Sequence, residues 1–183
     1  DFLSHGYDGG APHVHGDDGV GGVALPEPAR PVAEGTAADL LIRLSHEHPG
    51  SLQVLAVGPL TNLAAALAQD PTLPSRISRV TLMGGAALVP GNITALAEAN
   101  IGNDPEAAAA VFAAGWPVVV VPLDVTMENV FEESHRDRLA ASGSAVARSV
   151  AGMLDFYMDF YRPTYGRRCS ALHDPLAAAI AVG

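Results

Sequence analysis

The sequence predicts an α/β fold, an open and mostly parallel sheet flanked by helices. Two observations carry that expectation. Three short apolar runs, Leu52 to Val57 (LQVLAV), Arg79 to Met83 (RVTLM) and Pro117 to Leu123 (PVVVVPL), each empty into a polar loop and then a helix. Repetition of strand, loop and helix requires parallel strands joined by crossovers, and the unbroken apolar character of PVVVVPL suits a strand buried on both faces. In such a sheet the polar segments GPLTN, MGGA…GNIT…AEAN and LDVT share the edge at the carboxyl ends of the strands, where α/β proteins bind ligands.

In chain order, residues 1–22 (DFLSHGYDGGAPHVHGDDGVGG) hold seven glycines, four Asp and three His and read as loop. Its four carboxylates oppose a phosphate-binding role. His13, His15, Asp17 and Asp18 have metal-ligand chemistry, but no H-E-x-x-H or comparable spacing organises them; a single His reaching a ligand from this loop is the better expectation. PEPARPVA (26–33) is a proline-rich connector. Thr36 opens an amphipathic helix whose Leu40, Leu41 and Leu44 are spaced to face a core, and Pro49-Gly50 ends it. After LQVLAV, an alanine-rich helix runs from Asn62 to about Gln69. Asp104-Pro105-Glu106 combines an N-cap carboxylate, proline at the first helical position and an acid in the first turn, so a helix starts there and ends near Gly115. Two further helices fit 131–141 and 145–161, the second with Val150, Met153, Leu154 and Tyr157 on its apolar face.

The loop between Met83 and Asp104 carries Asn92, Glu98 and Asn100. By itself it reads first as solvated surface that uses Asn for turns. Behind an apolar strand it has a second reading, a cluster of donors and acceptors for a ligand rich in hydroxyls. Leu172-His173-Asp174-Pro175 also has two readings. Asp174 can cap a helix with Pro175 at its first position, or it can offer a ligand carboxylate beside a histidine that titrates near neutrality.

Bulk properties narrow the partners. The chain has 183 residues, 49% of them hydrophobic, and a net charge of −10 with no basic run, which suits a globular fold and disfavours nucleic acid. A metal cation or a neutral polar ligand fits the charge better. One cysteine, Cys169, rules out an internal disulfide framework and suits a reducing compartment. Its neighbours Arg167 and Arg168 would lower a thiol pKa, but no catalytic partner is assignable. No apolar run has the length of a membrane span and there is no signal segment. G-x-S-x-G, the P-loop and a G-x-G-x-x-G after a strand are all missing. The chain starts at Asp1 without methionine and stops within an apolar helix-like run, Pro175 to Val182, so both ends read as cut.

Five separated motifs, HGDDGVGG (15–22), VGPLTNLAAAL (57–67), LMGGA…GNIT…AEANIGNDPEAA (82–109), PLDVT (122–126) and HDPLAAA (173–179), resemble the inosine–uridine-preferring nucleoside hydrolases in order and across nearly the whole chain. The resemblance implies a single, partial hydrolase domain over 1–183. It also implies hydrolysis of the N-glycosidic bond of ribonucleosides to ribose and base, with Ca²⁺ binding the ribose diol and the attacking water. Carried over by position, Thr61 would give its carbonyl and Asp174 its carboxylate to calcium. Asn92, Glu98 and Asn100 would hold ribose hydroxyls over a floor lined by Met83. His173 would protonate the leaving base, and His15 would help place the nucleoside. A homodimer or homotetramer is implied as well, and the lack of a signal segment points to the cytoplasm. The family's D-x-D-P-G-x-D-D cluster, which supplies further calcium carboxylates and the general base, has no counterpart here; Asp17-Asp18 belongs to a different motif. The family's portion beyond HDPLAAA is also missing, and Ala99 stands where the family commonly has Phe. These departures leave a second expectation open, a non-catalytic riboside-binding or scaffold module.

Overall fold

A computed structural model describes every residue except 1, 2, 4, 7 and 8, so the loop expected over 1–22 lies partly outside the described residues. The elements run α1 (Pro12–His15), α2 (Ala37–Glu47), β1 (Leu52–Ala56), α3 (Thr61–Gln69), a 3-10 turn (Leu73–Arg76), β2 (Ile77–Met83), α4 (Ala99–Gly102), α5 (Pro105–Ala113), β3 (Val118–Val121), α6 (Leu123–Thr126), β4 (Val130–Glu132), α7 (Glu133–Ala140), α8 (Ala145–Tyr165), β5 (Cys169–Ala171) and α9 (His173–Val182). The backbone gathers into two compact units. One joins Ala33–Met127 to His173–Gly183; the other joins the described part of 7–32 to Glu128–Leu172.

The first unit holds a parallel sheet in the order β1-β2-β3, flanked by helices, in agreement with the predicted class. Ala56 pairs with Leu82 and Met83 with Val121, so the three strands end side by side. The alternating faces of β2 serve two cores. Val80 and Leu82 pack with Leu60, Leu63, Ala66, Ala107, Val111 and Trp116 from the α3 and α5 side. Met83 and Val121 pack with Leu123 and with Ala177 of α9. Arg79 faces α9 as well, donating to the Ala181 carbonyl at 2.8 Å and to Gln53 Oε1 at 2.8 Å.

Helix starts follow the local chemistry. The Thr36 hydroxyl accepts from Asp39 N at 3.1 Å while the Asp39 carboxylate accepts from Thr36 N at 2.8 Å, a reciprocal capping box. The predicted inward face of α2 is turned: Leu40 is exposed, and Ala38 and Ser45 are the buried positions, with Leu41 and Ile42 packed against the core. Ser45 satisfies its hydroxyl on the Ile42 carbonyl at 2.7 Å, which lets a polar residue occupy an inward position.

In the second unit β4 and β5 pair antiparallel, Val130 with Ala171 and Glu132 with Cys169. The sequence reading ran a helix through 131–132 instead, because a three-residue strand is visible only through its partner forty positions away. Helix α8 extends beyond the predicted 161 to Tyr165; Pro163 lies in its last turn, and Gly166, at φ 66°, supplies the left-handed stop. Its buried residues are Ala151, Met158 and Tyr161, whereas Val150 of the predicted face is exposed. Arg136 and Arg168 both pair with Asp155, and Arg167 pairs with Glu132. Cys169 is a buried free thiol, and burial pushes it up despite Arg167, so the neighbouring arginines do not activate it. Among the described residues no helix is long and apolar enough to cross a membrane.

Candidate functional site at the carboxyl edge of the sheet

The site is built around the end of β2. Gly85, at φ 87°, turns the chain sharply after Met83 and Gly84, and its N–H meets Glu98 Oε2 at 2.8 Å. Glu98 is buried, 2% exposed. Its carboxylate also accepts from Asn100 N at 2.9 Å and Ile101 N at 3.1 Å, which caps the single turn α4. Three backbone donors therefore hold this carboxylate, with no cationic partner among the described residues, and a carboxylate's four lone-pair sites leave room for one more donor.

Asn100 lies beside it. Its Nδ2 donates to the Met83 carbonyl at 3.0 Å and contacts the Met83 sulfur at 3.4 Å. Met83 itself is buried at the strand end. Asn92 is exposed, and its Oδ1 accepts from Ala99 N at 2.9 Å, closing the loop onto α4. Within that loop the N–H groups of Asn92, Ile93 and Thr94 converge on the Ala97 carbonyl at 3.1, 3.1 and 3.3 Å. Glu98, Asn100 and Met83 are thus joined by hydrogen bonds, and Asn92 is tied to the same turn through Ala99 N.

His173 and Asp174 open α9. The helix begins at His173, so Asp174 stands inside the first turn and not at the N-cap position that the sequence also allowed. Its carboxylate has no hydrogen bond among the described residues. Although the residue is exposed overall, desolvation of the carboxyl group, with the Glu98 charge adding, raises its pKa to about 6. That electrostatic link ties Asp174 to the Glu98 cluster. His173 Nδ1 lies 2.7 Å from the hydroxyl of Thr126, at the end of α6 behind β3. Burial lowers His173 to about 4.

Thr61 is the first residue of α3, just past the end of β1. Its hydroxyl donates to Asp104 at 2.5 Å. Asp104, fully buried, also accepts from Ala107 N at 3.1 Å and Leu3 N at 3.1 Å. Burial pushes its pKa up, but the Thr61 hydroxyl and these N–H groups outweigh it and hold the carboxylate below its usual range. Asp124, opposite, accepts from Ala87 N at 2.9 Å and Leu88 N at 2.7 Å and fastens the loop to the end of β3.

His15 belongs to the second unit, where its ring stacks on Tyr157 at 5.5 Å. Desolvation, then His13, lowers its pKa. The polar cluster around Glu98 is complete without it.

Sequence reasoning had placed Asp104 only as a helix cap and assigned no role to Thr126 or Asp124. Asp104 braces Thr61, Thr126 meets His173, and Asp124 holds the loop. The available signal was their position: LDVT directly follows β3 at the edge where the other polar motifs gather.

Residues 6–183 match the family described as inosine-uridine preferring nucleoside hydrolase. The chain is 39% identical over 174 residues to a probable uridine nucleosidase 2 of Oryza sativa subsp. japonica, covering 92% of this chain and 52% of that protein. It is also 39% identical over 170 residues to the pyrimidine-specific ribonucleoside hydrolase RihA of Salmonella enteritidis PT4, covering 92% and 54%. Among solved structures, a plant nucleoside hydrolase, the PpNRh1 enzyme, superposes with a TM-score of 0.89 at 36% identity, covering 94% of this chain and 54% of that one. A purine-preferring ribonucleoside hydrolase from Gardnerella vaginalis superposes equally well, TM-score 0.89 at 36% identity, covering 94% and 55%. The chain spans about half the length of the relatives it matches.

Proposed function

The chain belongs to the inosine-uridine preferring nucleoside hydrolase family, and from that premise we propose that it carries the ribose-binding and leaving-group parts of a site that hydrolyses the N-glycosidic bond of ribonucleosides, releasing ribose and free base. The observation that carries this reading is the cluster at the end of β2, where Glu98, Asn100 and Met83 are hydrogen-bonded together and Asp174 feels the Glu98 charge. A buried carboxylate and two side-chain amides suit the hydroxyls of a ribose ring, and the carboxylate charge suits the positive ribosyl group that forms as the base departs. His173, beside Asp174, serves the departing base as hydrogen donor, and His15 helps place the nucleoside. The relatives are named for uridine, for pyrimidines and for purines, so the substrate class stays at ribonucleosides.

Calcium fits the available donors in kind. Asp174 offers a carboxyl whose raised pKa a neighbouring cation would bring down, and Thr61, at the start of α3, offers a backbone carbonyl. Calcium takes six to eight oxygens, so these two are part of a set; among the described residues no three His, Cys, Asp or Glu side chains gather to hold a metal. When bound, the ion would orient the ribose diol and polarise the attacking water. A cytoplasmic, homo-oligomeric enzyme, dimer or tetramer, completes the reading; the free thiol suits a reducing compartment.

Ribose release from inosine and uridine tests the function, using the protein as its cell makes it. His173→Ala should slow inosine cleavage far more than cleavage of 4-nitrophenyl riboside, whose leaving group needs no proton. Equal losses on the two substrates would remove His173 from its role. Binding of ribosides with no release of ribose would favour the non-catalytic binding module.

A further inference from the structure

We infer that Asp124 is a positioning residue for riboside binding: by gripping the backbone of Ala87 and Leu88 it sets the arm of the loop that carries Asn92, and it acts on the ligand only through Asn92. The inference rests on the proposed function for what Asn92 binds and on the geometry of the loop for how Asn92 is held.

Strand register brings the parts together. Met83 pairs with Val121, so the chain leaving β2 runs beside the chain leaving β3. Leu123 N donates to the Gly85 carbonyl at 2.9 Å. One residue further, Asp124 accepts from Ala87 N on Oδ2 at 2.9 Å and from Leu88 N on Oδ1 at 2.7 Å. Each carboxylate oxygen serves one of two consecutive amides, and its charge strengthens both bonds. The same two donors hold the carboxyl below its ordinary range.

Beyond Leu88 the arm has little else to fix it. Among the described residues Val89 and Pro90 make no hydrogen bond, and backbone bonding resumes at Gly91 N, on the Ala95 carbonyl at 3.2 Å. Apolar burial does not fasten it either, since Leu88 is 95% exposed and Leu96 89% exposed. A segment with so few buried apolar contacts is placed by its hydrogen bonds. Asn92 stands at the end of this arm, its Oδ1 accepting from Ala99 N at 2.9 Å, within a turn that closes on the Ala97 carbonyl. The turn is therefore tethered twice, to Glu98 through the chain itself and to Asp124 through the arm. With the Asp124 grip lost, the turn leaves its binding position for part of the time, and apparent affinity falls by the fraction that remains in place. The loss has a ceiling: it cannot exceed the loss of Asn92 itself.

Two measurements test this. The first is amide hydrogen exchange, which needs no activity. In Asp124→Ala, exchange at Ala99 N should quicken roughly three- to tenfold, the scale of one neutral hydrogen bond, while Gly85 N and Ile101 N, held by Glu98, keep their rates. No change at Ala99, or equal quickening at all three amides, overturns the proposal. The second is kinetic. Asp124→Ala should raise KM roughly three- to tenfold on inosine, uridine and 4-nitrophenyl riboside alike, because the ribose is common to them, with kcat retained. Asp124→Asn, which keeps one acceptor oxygen, should fall between the variant and the wild type, and it carries the same tests if Asp124→Ala does not fold. In an Asn92→Ala background, Asp124→Ala should add nothing to KM. Additive effects, a fall in kcat at unchanged KM, or a rise confined to one base overturns the proposal. A wild type that releases no ribose would defeat the proposed function, and the exchange rates would still decide whether Asp124 positions Asn92.

Discussion

Replacing Glu98 by glutamine tests how the polar cluster at the end of β2 is held. The carboxylate accepts from Gly85 N, Asn100 N and Ile101 N at 2.8, 2.9 and 3.1 Å, two of them on Oε2. Glutamine keeps one oxygen, which can satisfy the two donors on the Oε2 side, and turns its NH₂ toward Asn100 N. That bond is lost outright, about 2 kcal/mol for an acceptor that was charged. The two that remain change from charge-assisted to neutral and weaken by roughly 1 kcal/mol together or somewhat more. The expected loss is about 3 kcal/mol, a large share of the 5–15 kcal/mol typical of a domain. Urea unfolding followed by far-ultraviolet circular dichroism measures it. With a slope of about 2 kcal/mol per molar urea, the midpoint should fall by roughly 1.5 M. A loss below about 1 kcal/mol would refute the reasoning, because it would mean that the three donors find other acceptors and that Glu98 is not what shapes the loop.

Three further outcomes are expected. Asp104→Ala should cost about 3 kcal/mol, from the lost cap of α5 and the stranded Thr61 hydroxyl; a double-mutant cycle with Thr61→Val should show coupling of at least about 1 kcal/mol, and simple additivity would refute the brace. Because the folded pKa of Asp104 is depressed, its contribution should hold above the unfolded carboxylate range and fade as pH falls through it. Asp174 has the opposite sign: its pKa is raised to about 6 from 3.8, so its ionised form costs stability that accrues as pH rises across that interval. Asp174→Asn should therefore raise the melting temperature at pH 7.5 without divalent cations, and millimolar calcium should stabilise only the wild type; a lower melting temperature for the variant without calcium would contradict this. Gly91→Ala would drive a Cβ into the Ala97 backbone, on which Asn92, Ile93 and Thr94 converge. It should release Asn92 from Ala99 N and raise KM for ribosides without a matching fall in melting temperature. An unchanged KM would show that the loop absorbs the methyl group.

The local elements were legible because their causes are local. Thr36 with Asp39, and Asp104 with Pro105, carry helix starts within four residues, and the apolar runs announce the strands β1, β2 and β3, of which only β2 is largely buried: Leu55 of β1 and Val120 of β3 are exposed, against the strand buried on both faces that PVVVVPL suggested. Motif order reached further and named the family; the roles of Asn92, Glu98, Asn100, His173 and Asp174 are what that resemblance proposes. Direction on helices was harder to read. Leu40 and Val150 are large and apolar yet exposed, while Ser45 is buried, because which stripe of a helix faces inward depends on neighbours that hydrophobic spacing does not specify.

By itself the sequence determined the parallel sheet and the edge at which its polar motifs collect, since strand period, helix caps and crossover connections act over short spans. Only the tertiary structure decided what those motifs do to one another. It seats Glu98 on three backbone donors, frees Asp174 from capping, joins Thr61 to Asp104 across 43 positions and Thr126 to His173 across 47. Hydrogen bonds and desolvation act over a few ångströms, and separation along the chain carries no information about that distance until the strands are packed.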